Sequence, residues 1–461
     1  MRKLSDILLP RIRELVRSRD GAVAMIFSLS SIVCVVSAGM AIDMARAYTV
    51  QVRLGAALDA AGLAVGSTTG MTDAQLQTRF TNFFNANYPT GALGTPKNVT
   101  MTIDHANNQI NVSAQATVNT TLMRVVGFNS MTVSSKSQIT LQTTGLELAL
   151  VLDNTGSMLN NNNIAALRND STQLVNILYG ANTTSNNLKI SVVPFVTAVN
   201  VGSIAPSLVS SNPHPYSPTD PTKWKGCVTE PNYPADEQET VVAGQRQQYW
   251  WASASDNTWT NSNIAISESL CNNSHGPNLG CGTPVTPLTS DKTTLMNALN
   301  SMLAWCRSGT IIHVGMAWGW RTISPQSPFS TQGLPYNTPG WKKAMVIETD
   351  GANDMYKPSG SAFKSDFTSF GRLDAGNLGT TNSGTATTIL NNRITDMCNA
   401  IKAKGITIYA ITFTGAAAGS RTLFQNCATD PTKYFDAPDQ ATLQTAFTTI
   451  ANQLNNLRLS K

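Results

Sequence analysis

Asp153, Thr155 and Ser157 stand at alternate positions within LELALVLDNTGSM, residues 146–158. A carboxylate and two hydroxyls spaced this way, just past an apolar run, can point into one small space. Gly156 between them permits a tight turn. The group offers oxygen alone, which suits a hard divalent cation such as Mg²⁺ or Mn²⁺. A strand end with an Asx or Ser turn accounts for the same residues about equally well. Two further oxygen donors lie far along the chain. Asp350, in Glu348-Thr349-Asp350-Gly351, follows a second apolar run, and Thr310 follows Gly309 in a turn ahead of residues 311–317. Both aspartates therefore sit where open α/β sheets bind ligands, past the carboxyl ends of strands.

The elements that must position these groups follow from periodicity. Residues 148–152 form an apolar run, the pattern of a strand buried on both faces. Helices are expected over about 164–179, 292–306, 386–404 and 440–457. Strands are expected at 189–195, 344–347 and 406–413. In the last helix Leu443, Phe447, Ile450, Leu454 and Leu457 share one face. This alternation predicts a doubly wound, mostly parallel α/β domain over 145–461. Residues 200–285 interrupt it with a segment rich in Pro and Asn, which also holds Trp224, Trp250, Trp251 and Trp259. So long an irregular stretch inside a domain is usually functional or disordered, and its tryptophans and cysteines argue for an ordered insertion. Upstream, a helix over 72–88 and alternating strands at 99–103, 109–118 and 131–141 make a small α+β module over 45–144. Val112, Ala114 and Ala116 should face its interior.

Composition bounds the setting. The chain has 461 residues, enough for two or three domains. Charged residues make up 13%, against about a quarter in typical soluble proteins. The net charge of +5 is small and no nucleic-acid motif is present, so nucleic acid is not an expected partner. Residues 22–42 carry no charge and are long enough to cross a bilayer once as a helix. Arg2, Lys3, Arg11, Arg13, Arg17 and Arg19 precede them, so the positive-inside rule leaves 1–20 in the cytoplasm and the bulk of the chain outside. The run exceeds the roughly 7–15 residues of a signal-peptide core, which favours a retained anchor over 21–44. Residues 1–20 also place Leu8, Leu9, Ile12 and Val16 on one helical face. Six of the seven cysteines lie beyond the span, as disulfides in an oxidising compartment would. Pairing nearest neighbours gives Cys271–Cys281 and Cys398–Cys427. Cys271, His275 and Cys281 are a competing zinc set without a clear fourth ligand.

Taken together, D-x-T-x-S at Asp153, Thr155 and Ser157, then Thr310 in Ser-Gly-Thr, then Asp350 in Thr-Asp-Gly, resembles the von Willebrand factor A domain and its metal-ion-dependent adhesion site (MIDAS). Thr155 stands where that family usually has Ser, and the hydroxyl is kept. The resemblance implies a divalent cation, Mg²⁺ first and Mn²⁺ or Ca²⁺ next. Ser157, Thr155 and Thr310 would face the metal directly, and Asp153 and Asp350 would act largely through water. A carboxylate of a protein partner commonly completes the shell. The N-terminus resembles the TadE/TadG-like proteins of Flp (tight adherence) pilus assembly. The likeness lies in Arg19-Asp20-Gly21-Ala22-Val23-Ala24, the apolar span, and the helix Leu54-Gly55-Ala56-Ala57-Leu58-Asp59-Ala60-Ala61. Met25 and Ile26 stand where pilin-like members carry a Glu. An anchor joined to an A domain is the TadG arrangement.

The expected function is thus a bacterial inner-membrane protein of pilus assembly or adherence. Its bulk would be periplasmic or surface-exposed, and it would bind a protein partner, among other assembly components, through the cation site. Two alternatives are a structural scaffold with a vestigial site and a surface adhesin whose tryptophans stack on glycans. No enzymatic activity is expected: a Gly-rich phosphate loop with Lys is absent, and His313 lies in an apolar helical stretch.

Overall fold

The computed structural model describes residues 19–66, 68, 73–89, 91, 93–104, 109–140, 144–210, 223–251, 254–257, 275–307, 309–326, 328–329 and 331–459. Residues 1–18 of the amphipathic segment expected over 1–20, Cys271 and Trp259 lie outside them. The chain divides into two compact units, Met1–Gln142 and Thr143–Lys461.

The first unit is one long helix with a small sheet packed on it. Helix α1 (Arg19–Gly66) has 48 residues, about 72 Å at 1.5 Å per residue. It is long and apolar enough to cross a membrane. Its side chains are mostly exposed from Val23 to Ala38. A buried seam then begins, running Gly39, Asp43, Ala47, Val50, Leu54, Leu58, Ala61 and Val65. The spacing of three and four is one helical face. Helix α2 (Asp73–Asn87) adds Phe80 and Phe84 to the same core. Strands β1 (Thr95–Asp104), β2 (Gln109–Asn119) and β3 (Ser130–Thr140) form an antiparallel sheet in that order. Val112, Ala114 and Ala116 are buried in it, as the alternation predicts.

The second unit is built on β4 (Gly145–Asp153), in which every residue is buried. The strand is central, parallel to β5 (Leu188–Phe195) on one side and β7 (Trp341–Thr349) on the other. Strand β8 (Ile406–Phe413) follows β7 and β9 (Tyr434–Ala437) follows β8, both parallel, while β6 (Thr286–Thr289) closes the other edge antiparallel to β5. The order is β6-β5-β4-β7-β8-β9. Numbered from β4, this is 3-2-1-4-5-6, the doubly wound order, and the winding reverses between β4 and β7. The side chains of β4 alternate between two cores. Leu148, Leu150 and Leu152 pack with helices α3 (Asn163–Tyr179), α4 (Lys292–Asn300) and α8 (Gln440–Leu459); Ala149 and Val151 pack with α5 (Ile312–Ile323) and α6 (Ser383–Ala403). Helix α7 (Ala418–Cys427) precedes β9.

Helix α5 is buried at every residue. The expected helix over 292–306 stops at Asn300, because residues beyond it turn back to bond the β4 loop: Trp305 N donates to Asn154 O at 2.8 Å. The insertion covers α5 with a buried charge network. Arg246 donates to Glu230 Oε2 at 3.1 Å, Arg321 of α5 donates to both Glu230 oxygens, and the Trp318 indole donates to Oε1 at 2.7 Å. Burial pushes Glu230 up, but Arg321 and Arg246 more than offset it and hold it below the usual range. Burial drives His313 down to about 3, so its 3.4 Å contact with Asp236 is not an ion pair. The insertion is stapled by Cys227–Cys281, which corrects the expected Cys271–Cys281 pairing and removes Cys281 from the zinc set. Nearest-neighbour pairing fails there because the fold brings together cysteines 54 residues apart. Cys398–Cys427 is present as expected and ties α6 to α7.

Helix α5 approaches the sheet through glycines. A Cβ on Gly319 would lie 2.3 Å from Val151 Cγ2, and one on Gly315 would lie 2.6 Å from Phe195. In an exposed helix Gly→Ala gains about 1 kcal/mol. Here overpacking, which costs roughly 1–3 kcal/mol, wins. Gly319→Ala should lower the thermal midpoint, a net loss of up to about 2 kcal/mol. Gly419→Ala, where a Cβ meets nothing within 4 Å, should leave it unchanged or raised. Differential scanning calorimetry of the two variants compares them directly.

Candidate metal centre at the strand switch point

Asp153 ends β4 and is fully buried. Both its oxygens are used internally: Thr155 N donates to Oδ1 at 2.8 Å and Thr349 Oγ1 donates to Oδ2 at 2.6 Å. The carboxylate thereby fixes the turn after β4 against the end of β7. Thr155 also bridges to Trp305 through the backbone. Gly156 keeps this crossing close, since a Cβ there would sit 3.1 Å from Cys306 Cα. Past the turn, Thr155 Oγ1 and Ser157 Oγ lie 3.1 Å apart, and Ser157 Oγ donates to Asp350 Oδ1 at 2.6 Å.

Thr310 arrives on a separate loop clasped to the one that carries Asp350. Its N–H donates to Asp354 O at 2.9 Å and its carbonyl accepts from Asp354 N at 2.7 Å. Asn353 Oδ1 accepts from Ile312 N at 2.9 Å, at the start of α5. Gly309 has φ +90° and its Cβ position lies 2.1 Å from Asp354 O, so no side chain fits there. The result places Thr310 Oγ1 3.9 Å from the Cβ position of Gly351, next to Asp350. The structure thus brings Asp153, Thr155, Ser157 and Asp350 together, with Thr310 against the Asp350 loop. All lie at the carboxyl ends of β4 and β7, where the winding reverses.

Glu348 belongs to this group and was not singled out in the sequence. It pairs with Leu152 across the β4–β7 ladder and is fully buried. Its Oε2 accepts from Asp153 N at 3.3 Å, and its Oε1 is buried without a hydrogen-bond partner. Burial, then the charges of Asp153 and Asp350, push Glu348 well above the usual carboxylate range. Burial and the Asp153 charge likewise raise Asp350, to about 7. The one available signal was an acidic residue directly after the apolar run 344–347.

The donor set fits a hard cation. Adjacent ligands of an octahedral Mg²⁺ at about 2.1 Å stand roughly 3 Å apart, and the Thr155–Ser157 and Ser157–Asp350 separations are 3.1 and 2.6 Å. Raised carboxyls pressed together without a counter-charge are the electrostatic setting a cation relieves. Among the described residues, no three His, Cys, Asp or Glu side chains form a metal-binding group, so any such site depends on its hydroxyls.

Two of the insertion's tryptophans are turned inward. Trp251 is fully buried, with its indole donating to Leu279 O at 2.8 Å, and Trp250 is buried as well. Glycan stacking on these two faces is therefore excluded, which removes the support for the adhesin alternative at Trp250 and Trp251.

No protein-family model matches the chain, and no curated protein matches it. Several solved structures resemble it. The vWF domain of the type V pili tip protein Mfa5 from Porphyromonas gingivalis is 11% identical, over 69% of this chain and 97% of that one, with a TM-score of 0.38. The pilus adhesin SpaC from Lactobacillus rhamnosus GG is 11% identical over 80% of this chain and 35% of that one, TM-score 0.34. Proximal thread matrix protein 1 from the mussel byssus, with a zinc-occupied MIDAS motif, is 12% identical over 68% and 48%, TM-score 0.32. This chain thus spans about half of the byssus protein and about a third of SpaC. At such scores the functional reading rests on the geometry above.

The raised carboxyls set a pH dependence. In the cation-free protein Asp350 binds a proton more tightly folded than unfolded. Its contribution to stability is therefore full below its ordinary value of 3.8 and is lost as pH rises through about 7. A cation requires the deprotonated form, so Mg²⁺ stabilisation should run the opposite way. Thermal midpoints with and without Mg²⁺ should diverge at pH 8 and converge by pH 5. A constant Mg²⁺ increment across that range would contradict the assignment of Asp350.

Proposed function

We propose that this chain is a membrane-anchored, non-enzymatic component of bacterial Flp (tight adherence) pilus assembly or adherence. In this reading it holds a protein partner through a divalent-cation site in an extracytoplasmic A-type domain. The observation that carries the binding function is the convergence of Ser157, Thr155 and Asp350 at the β4–β7 switch point, with Thr310 against the same loop. The TadG-like assignment rests on the sequence: Arg19–Ala24, the apolar span and the 54–61 helix stand in one chain with the D-x-T-x-S, Thr and Asp pieces. Helix α1 is the anchor of this reading. The run of arginines before it leaves the N-terminus in the cytoplasm and the bulk of the chain on the periplasmic or outer side.

Each residue has a distinct task in this account. Ser157, Thr155 and Thr310 offer hydroxyl oxygens to the metal. Asp350 accepts from Ser157 and balances charge from the β7 side. Asp153 has both oxygens engaged by Thr155 and Thr349, so it holds the turn and acts on the site at one remove. Glu348 lies on the adjacent strand and accepts from the Asp153 N–H. A bound Mg²⁺ supplies a Lewis-acidic position for an incoming carboxylate, because few of its protein ligands are formally charged. The expected partner surface is therefore a protein with an exposed Asp or Glu. An enzymatic role is not proposed: His313 is buried beneath the insertion, against Phe370, and serves packing.

The test is thermal unfolding of the detergent-solubilised, oxidised chain with millimolar Mg²⁺. Ligand at about a hundred times its Kd stabilises by roughly 2.7 kcal/mol. Wild type should shift upward, and Asp153→Ala, which frees the turn, should lose the shift. Equal behaviour of both proteins would overturn the cation site.

A further inference from the structure

We propose that residues 120–128 form a second membrane contact, an apolar turn that inserts into the outer leaflet beside helix α1. The inference rests on reading α1 as membrane-spanning and extends that reading to a second element of the same unit.

The turn connects β2 to β3 and is closed by Thr120 N donating to Asn129 O at 3.1 Å. It carries four large apolar side chains within seven residues, all at the surface: Leu122, Val125, Val126 and Phe128. Val125 is 86% exposed and Phe128 60%. Water is a poor neighbour for so dense an apolar patch, and such patches mark contacts with a membrane or a partner.

The placement of the turn identifies what covers it. Asp43 lies one residue past the uncharged run of 22–42 and is buried. Its carboxylate accepts three backbone N–H groups from the turn: Thr121 at 2.9 Å, Leu122 at 2.9 Å and Met123 at 2.8 Å. Arg46, one turn further out, donates to Thr121 Oγ1. One turn further in, Leu122 Cβ stands 2.7 Å from the Cβ position of Gly39, which only glycine allows. Gly39 lies inside the apolar run. The turn is thus pinned at the depth where the helix leaves the bilayer, with its apolar side chains free to meet lipid. A carboxylate at that depth would be costly alone, and three N–H donors satisfy it. Arg124 and Arg46 fit the headgroup level, where basic and aromatic side chains favour the interface. The far end of the sheet points away: Ile139 packs on Gly62, 23 residues or about 35 Å along α1.

The experiment uses the full chain in a Cys34→Ser background, reconstituted in phosphatidylcholine–phosphatidylglycerol vesicles containing doxyl-labelled lipid. Single cysteines at Val125, Val33 and Gln138 carry an environment-sensitive fluorophore. The Val125 label should be blue-shifted and quenched by doxyl lipid several-fold more than the Gln138 label, and the Val33 label should be quenched from mid-span. Quenching at Val33 without quenching at Val125 overturns the second contact and leaves the anchor intact. A blue shift at Val125 without lipid quenching assigns the turn to a protein contact and equally overturns it. Quenching at none of the three sites overturns the anchor as well.

Discussion

Like-charge crowding at the β4–β7 switch point is the constraint on which the second unit depends. Three carboxyls, Asp153, Glu348 and Asp350, stand at the ends of two adjacent buried strands. Desolvation and mutual repulsion oppose their ionisation there. The surrounding polymer is arranged to tolerate this. Thr155 and Thr349 bond Asp153, Ser157 bonds Asp350, and the 301–306 segment leaves helical geometry to close the turn from the side. Among the described residues no positive side chain offsets them, and a cation is the simplest group that completes the balance.

The insertion and the site are coupled through α5. Its first turn is fixed by Asn353 beside Thr310, and its middle is held by Glu230, which Arg246 of the disulfide-stapled insertion also bonds. Burying an ion network in this way adds little net stability, since desolvation offsets the attraction. It does specify one position for α5, and with it one position for the Thr310 loop. Trp251 packs with the staple itself, beside Tyr249, Leu279 and Phe367, and Trp224 packs against the core that holds α5.

Much of the fold was legible because buried parallel strands are almost uninterrupted apolar runs. Residues 148–152 and 406–413 announce themselves in this way, and the D-x-T-x-S turn follows directly from the first. The three oxygen-bearing segments were legible for the same reason, each falling just past or before such a run. What escaped depends on contacts between distant residues. Cys227 meets Cys281 only through the folded insertion. Residues 301–306 leave the helix to meet the β4 loop, where Trp305 N donates to Asn154 O. Glu348 has no local pattern that distinguishes it from a strand-end acid. Leu122 and Gly39 are 83 positions apart and meet only when the sheet lies along α1.

The most direct test of the central claim is electron paramagnetic resonance of Mn²⁺ titrated with the full-length, oxidised protein at pH 8. Free Mn²⁺ gives a six-line signal that is lost on binding. Wild type should deplete it with a stoichiometry of one per chain, Mg²⁺ should restore it by competition, and Ser157→Ala should leave it undiminished. A signal unchanged by wild type, or depleted equally by Ser157→Ala, would contradict a cation site at the switch point.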